Sequence, residues 1–421
     1  MHTAFKRSQA KTQVLEMKET AIRIDHHTRA GLVLRLFIML IPFQVLAQEQ
    51  ATVASAAPNM GSTLEFGGTH SEIVTPGLGT WNISAVASAL ALTQTNAVAG
   101  NPQGLADIDN AQLMVQKDTG LLQFYVQAGM YALPTLGLPY QRANKFTIDN
   151  YGYVPLAYVA LAPSPNWSIM VGKLNTMGGN EGTFDYQNEN ILRGLLWNQT
   201  SSVSNGIQVN HTNGPLSLSL SWNDGFYSHH YNWLSASGTY KIDSANNFTL
   251  AWNGSLSPSD VATSATPLLL NNSQIFSATY NYDAGPWSIE PSLQYTYVPA
   301  NSTTGVAAPG ETRGAALMAS YKFGVSEKSP LGRAGKISLP VRIEYITSNG
   351  SPESGAPNLL YGAGSSAWSL TVTPTYQTGI YFARAEASYV KAINTAPGSA
   401  FGSDGTKNGQ FRLLLEVGIL Y

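Results

Sequence analysis

No cysteine occurs anywhere in the 421 residues. That removes disulfides, thiolate ligands for zinc and thiol nucleophiles at once. Charge is also scarce: Asp, Glu, Lys and Arg make up 11% of the chain, about half the share of a soluble domain. Beyond residue 47 there is no run approaching the roughly twenty apolar residues of a helical membrane span. A basic patch is missing too. Residues 1–47 hold seven Lys/Arg and three Asp/Glu, and the remainder keeps 16 basic and 22 acidic groups, a net charge of −6. Nucleic acid is therefore excluded as a partner. A chain too poorly charged for a soluble surface and without helical spans fits a closed barrel, since only helices and barrels satisfy their backbone polar groups in a bilayer.

The N-terminus has the order of an export signal. Lys6, Arg7, Lys11, Lys18, Arg23 and Arg29 precede the apolar run 36–46, and Ala47 is followed by Gln48-Glu49-Gln50. Basic, apolar and small-residue regions in that order predict a signal peptide over 1–47, cleaved near Ala47. Residues 48–80, rich in Ala, Ser, Pro and Gly, read as a flexible entry segment, and 81–421 as one further domain.

That domain is a series of alternating runs. In 216–223, Leu216, Leu218, Leu220 and Trp222 alternate with Ser217, Ser219, Ser221 and Asn223. A period of two puts the two sets on opposite faces of a strand; a serine face makes a poor core but a good water-facing wall. The final run, Phe411 to Tyr421, repeats the pattern with Arg412 and Glu416 on the polar side. Counting from 81–92, with 112–117 as the next run, about sixteen such runs are expected. Connections at 118–120, 163–166, 213–215, 244–246 and 284–286 are tight, whereas 132–152, 175–204, 224–233, 257–273, 299–311, 348–366 and 392–409 are long. Trp and Tyr gather near the run ends. The fold class expected is all-β: a transmembrane antiparallel up-and-down barrel with short periplasmic turns, long extracellular loops and interfacial aromatics.

Gly172-Lys173-Leu174-Asn175-Thr176-Met177-Gly178-Gly179-Asn180-Glu181, then Asn188, Asn190 and Arg193, resembles the strand-and-loop segment of the OmpL-like β-barrel porins. Ser221-Trp222-Asn223-Asp224-Gly225-Phe226-Tyr227 and Asn110-Ala111-Gln112-Leu113 are similar to two further segments of that family. The resemblance implies an outer-membrane channel of Gram-negative bacteria, and not an enzyme. Its partners would be outer-membrane lipid, small hydrophilic solutes or ions, the barrel-assembly machinery acting on the strand that ends at Tyr421, and a second copy in a homo-oligomer. A barrel with a plugged lumen that binds surfaces is the alternative, and a lipid hydrolase a more distant one.

In a channel the work is steric and electrostatic. Loop 175–204 is the candidate constriction, with Glu181, Asp185, Glu189 and Arg193 as its charges and Lys173 at its base. Strand parity turns Glu290, Arg342, Glu344, Arg384, Glu386, Arg412 and Glu416 inward, since Arg or Lys on the lipid face would cost about 2–4 kcal/mol at mid-bilayer. These charges are expected to pair across the wall, since Arg and Glu recur two residues apart as inward neighbours, as in Arg342/Glu344 and Arg384/Glu386. His211-Thr212-Asn213 sets a base beside a hydroxyl, as nucleophilic hydrolysis needs, but it falls at a tight turn. His229 and His230 are adjacent and point apart on an extended chain. No cofactor or metal is expected.

Overall fold

The structure, a computed structural model, describes residues 62, 64–67, 71–77, 79–326 and 334–421. The expected export signal lies outside the described residues. A short strand β1 (Ser71–Thr75) comes first, followed by β2 (Gly79–Gln94), β3 (Gly104–Lys117), β4 (Leu122–Tyr131), β5 (Leu156–Ser164), β6 (Trp167–Asn175), β7 (Val203–Asn213), β8 (Leu216–Asn223) and β9 (Trp233–Lys241). Then come β10 (Asn246–Ser255), β11 (Gln274–Ala284), β12 (Trp287–Val298), β13 (Gly310–Ser326), β14 (Gly335–Ser348), β15 (Ser366–Val372), β16 (Thr375–Thr378), β17 (Tyr381–Ile393) and β18 (Gly409–Leu420). Among the described residues the one α-helix, α1 (Ala143–Asp149), sits in the loop after β4.

From β2 to β15 each strand pairs antiparallel with the next, as does β17 with β18, and β18 returns to pair with β2, Arg412 opposite Gln94 and Leu420 opposite Val86. The ladder closes into a ring. Strands β15 and β16 both lie between β14 and β17 and form one wall strand, so the barrel has sixteen. Their interruption falls at Thr373-Pro374, because proline has no N–H for the ladder. Thr373 N–H still donates to Pro340 O at 2.9 Å, and Pro374 O accepts from Ala385 N–H at 3.1 Å.

Alternation builds the wall. Leu216, Leu218, Leu220 and Trp222 of β8 are exposed on the outer surface, while Ser221 and Asn223 are buried on the inner one. Trp167, Trp222, Trp287 and Tyr381 stand exposed near strand ends, where amphipathic rings suit an interface. Trp233 departs from that expectation. It is buried against Phe226, and its indole N–H donates to Asn271 O at 3.0 Å, so it serves interior packing.

Two further differences from the sequence reading have local causes. Strand β3 begins at Gly104, well ahead of the expected 112, because β2 supplies a pairing edge up to Thr93. A bulge between Ser88 and Leu90 of β2 accompanies the burial of both Asp109 and Asn110. Strand β1 lies inside the stretch expected to be flexible. It occupies Gly79–Ile83 of β2, on the edge that β18 leaves at Val86. Ahead of it, Gly67 N–H donates to Leu420 O at 3.1 Å and Glu65 N–H to Gln377 Oε1 at 2.9 Å. Residues 64–67 thus cross the short-turn end of the barrel.

Candidate functional site

The loop between β6 and β7, residues 176–202, folds into the barrel. Its apolar residues Ile191, Leu192, Leu195 and Leu196 pack with Leu90 and Leu92 of β2, Ile346 of β14, Val390 of β17 and Leu414 of β18. This gives the interior an apolar core on one side, which alternation along single strands does not foretell.

Polar contacts fix the loop to the same side. Arg342 of β14 donates to Glu181 and to Leu192 O at 2.8 Å, and lies 3.2 Å from Glu344. Glu181 also accepts Gly194 N–H at 2.7 Å, and Glu344 accepts Leu196 N–H at 3.2 Å and Ser369 Oγ–H at 2.8 Å. At Gly194 a Cβ would stand 2.2 Å from Glu344 Oε1, so this close approach needs glycine. Glu386 of β17 accepts Ile191 N–H at 2.6 Å and Thr373 Oγ1–H at 2.9 Å. Arg384 donates to Glu416 Oε2 at 2.8 Å and to Asn188 O at 3.0 Å, with Asp185 3.6 Å away. Its partner is Glu416 rather than Glu386, because the two are directly opposed in the β17–β18 register. Arg342 thus pairs with a neighbour on its own strand, whereas Arg384 pairs across to the next strand.

Arg193 joins the loop to its neighbour. It donates to Thr135 Oγ1 at 3.0 Å and stacks 4.0 Å over the Trp197 ring. Burial pulls its guanidinium down to about 10, with Asp185 and Glu181 opposing, so it stays charged at neutral pH. Burial likewise pushes the Glu181 carboxyl up, and Arg342 opposes it. Arg412 of β18 donates to Gln94 Oε1 at 3.0 Å and Thr135 O at 2.9 Å, holding the loop after β4. Glu189 accepts from Ser320 Oγ at 3.5 Å, and Glu290 lies buried on the inner face of β12.

Lys173 does not join this set. It follows Trp167, Ile169 and Val171 in the outward register of β6 and donates to Tyr151 O at 2.9 Å and Val154 O at 2.8 Å. Asp109 does join and was missed, since the strand containing it reads from the sequence as starting three residues later. Its carboxylate accepts Ser88 Oγ–H at 2.8 Å, and oxygens of Asp109, Asp185 and Glu416 lie within 4.8 Å of one another. These three have the geometry of metal ligands, but the Arg384 guanidinium already lies against Asp185 and Glu416 as their counter-charge.

The opposite wall is different. Ser217 and Ser219 of β8, Ser237 and Thr239 of β9, and Ser277 of β11 turn inward and remain half-exposed. On the loop side Arg342, Glu344, Arg384, Glu386 and Glu416 are essentially inaccessible. The space left inside is therefore bordered by hydroxyls. His211 and Thr212 point to opposite faces of β7: the imidazole stacks on Trp167 at 4.1 Å, and the hydroxyl meets Ser217 Oγ at 3.2 Å. No base stands beside that hydroxyl.

No curated protein matches the chain in sequence. Among solved structures, the anion-selective porin from Comamonas acidovorans is similar at 10% identity and a TM-score of 0.54, with 81% of this chain and 99% of that one covered. The outer membrane channel DcaP of Acinetobacter baumannii gives 11% and 0.53 over 81% and 97%. Salmonella typhi OmpF, in complex with daunomycin, gives 14% and 0.52 over 83% and 100%. These likenesses establish the fold. A family model described as putative beta-barrel porin-2, OmpL-like, matches residues 81–421, and the chain belongs to that family.

Proposed function

We propose that this protein is an outer-membrane porin of a Gram-negative bacterium, a water-filled channel for passive diffusion of ions and small hydrophilic solutes. The observation that carries the reading is the closed sixteen-stranded wall, apolar outside, with residues 176–202 seated inside it. A barrel of this strand number encloses an aqueous lumen, and a loop held against one wall narrows it. Glu181, Asp185, Glu189 and Arg193, with Arg342, Glu344, Arg384, Glu386, Arg412 and Glu416, set the aperture by holding the loop in place. Glu290 lies buried in β12, the strand whose Ser292 and Gln294 also bond the loop. The protein reaches the membrane by export with cleavage near Ala47, and the barrel-assembly machinery receives the strand ending at Tyr421.

Purified protein in a planar bilayer should give stepwise current increments in potassium chloride. A barrel that stays folded yet produces no increments would remove the reading.

A further inference from the structure

Between the segment crossing the short-turn end and the inner loop lies a cavity of about 400 Å³. Its lining includes Phe66 from the crossing segment, Tyr186 and Gln187 from the loop, and Ser84, Gln116 and Tyr125 from β2, β3 and β4. Phe66 meets Tyr186 edge to face at 6.2 Å, and Ser62 N–H donates to Gln187 O at 3.2 Å. The lining holds no charged side chain. Ser84, Gln116, Tyr125 and Gln187 are half-exposed, so a solute can reach them.

We infer that this cavity is a docking site for a neutral polyhydroxylated solute, a small sugar or polyol, at the short-turn mouth. The inference rests on the channel reading and names the solute class. Aromatic rings receive the C–H faces of such a molecule, and Gln amides and a Ser hydroxyl offer donors and acceptors to its hydroxyls. A fully ionic solute would lose hydration there and meet no opposite charge. The volume suits a solute of one or two sugar rings. The half-exposed Ser217, Ser219, Ser237, Thr239 and Ser277 continue the same chemistry on the inner wall.

The test is current block in a planar bilayer, with a neutral disaccharide as probe and gluconate as the charged control. The disaccharide should reduce the potassium chloride current saturably, and gluconate should not. Gln116→Ala, which leaves the inner loop untouched, should weaken the block roughly three- to tenfold, the loss of one hydrogen bond, with unchanged conductance in its absence. Tyr125→Leu should weaken it further. A gel-mobility assay on heated and unheated samples shows that each variant has folded. Equal block by gluconate, no saturable block by the disaccharide, or block unchanged in both folded variants overturns the inference and leaves the channel intact. Absence of any current removes the channel reading and this one together.

Discussion

Arg384 shows how a single side chain can hold a loop. Its guanidinium faces Glu416 and Asp185 and reaches the loop carbonyl of Asn188, with every partner buried. Breaking a buried pair by removing one member costs about 3–5 kcal/mol, because the remaining charges stay in place unpaired. Arg384→Met is therefore expected to lower the temperature at which the barrel unfolds on heated gels and to raise single-channel conductance as the loop loosens. Adding Glu416→Gln should recover part of the loss, which a double-mutant cycle measures as coupling. The inward placement of Arg384 was legible from the period of two along β17. Its partner was not, because Glu416 is set by strand register, and Asn188 comes from a loop 196 residues away. Lys173 is the reverse case. A lysine at a strand end in the outward register is satisfied by loop carbonyls, and the period of two through Trp167, Ile169 and Val171 already points it outward, against the lumenal position expected from its place beside the loop.

Among the elements, the clean strands were the most legible. β8 and β18 alternate without a break, so which face meets lipid followed directly. On β12, Leu293 is 62% exposed on that face while Ser292 is buried inside. Leu293→Arg should cost about 2–4 kcal/mol of barrel stability near mid-bilayer, measured by denaturant refolding into vesicles. Ser292→Ala should cost far less, and equal costs would contradict the assigned faces. The interior loop was recognisable as long and glycine-rich, but its destination was not. Its apolar run Ile191, Leu192, Leu195 and Leu196 could equally have signalled an exposed loop tip, since the surface it covers is assembled from β2, β14, β17 and β18. Strand β3 was shortened in the sequence reading because Asp107 and Asp109 interrupt its apolar pattern, and that concealed Asp109.

At the scale of the whole molecule, the segment crossing the short-turn end ties the region before the barrel to the loop inside it. The absence of cysteine makes this contact directly testable. Ser62→Cys with Gln187→Cys should form a crosslink under mild oxidant, as the Ser62 N–H to Gln187 O bond brings the two backbones together. The crosslinked protein should conduct less than its reduced form; a failure to crosslink in folded protein would show that the segment does not rest there. Closure of the ring was implied by the strand count, but the seat of β1 beside β18 was not, because it depends on where the last strand runs out.

The seam between β18 and β2 joins residues as far apart as Arg412 and Gln94, separated by 318 positions. Contacts of such separation are slow to form, since chain entropy is lost before they are made. Until the final strand docks, β2 presents a bare row of donors and acceptors, a template for a strand from another molecule. Assembly of this protein is thus most vulnerable to aggregation just before its last step, and β1 shortens the stretch of β2 that waits unprotected.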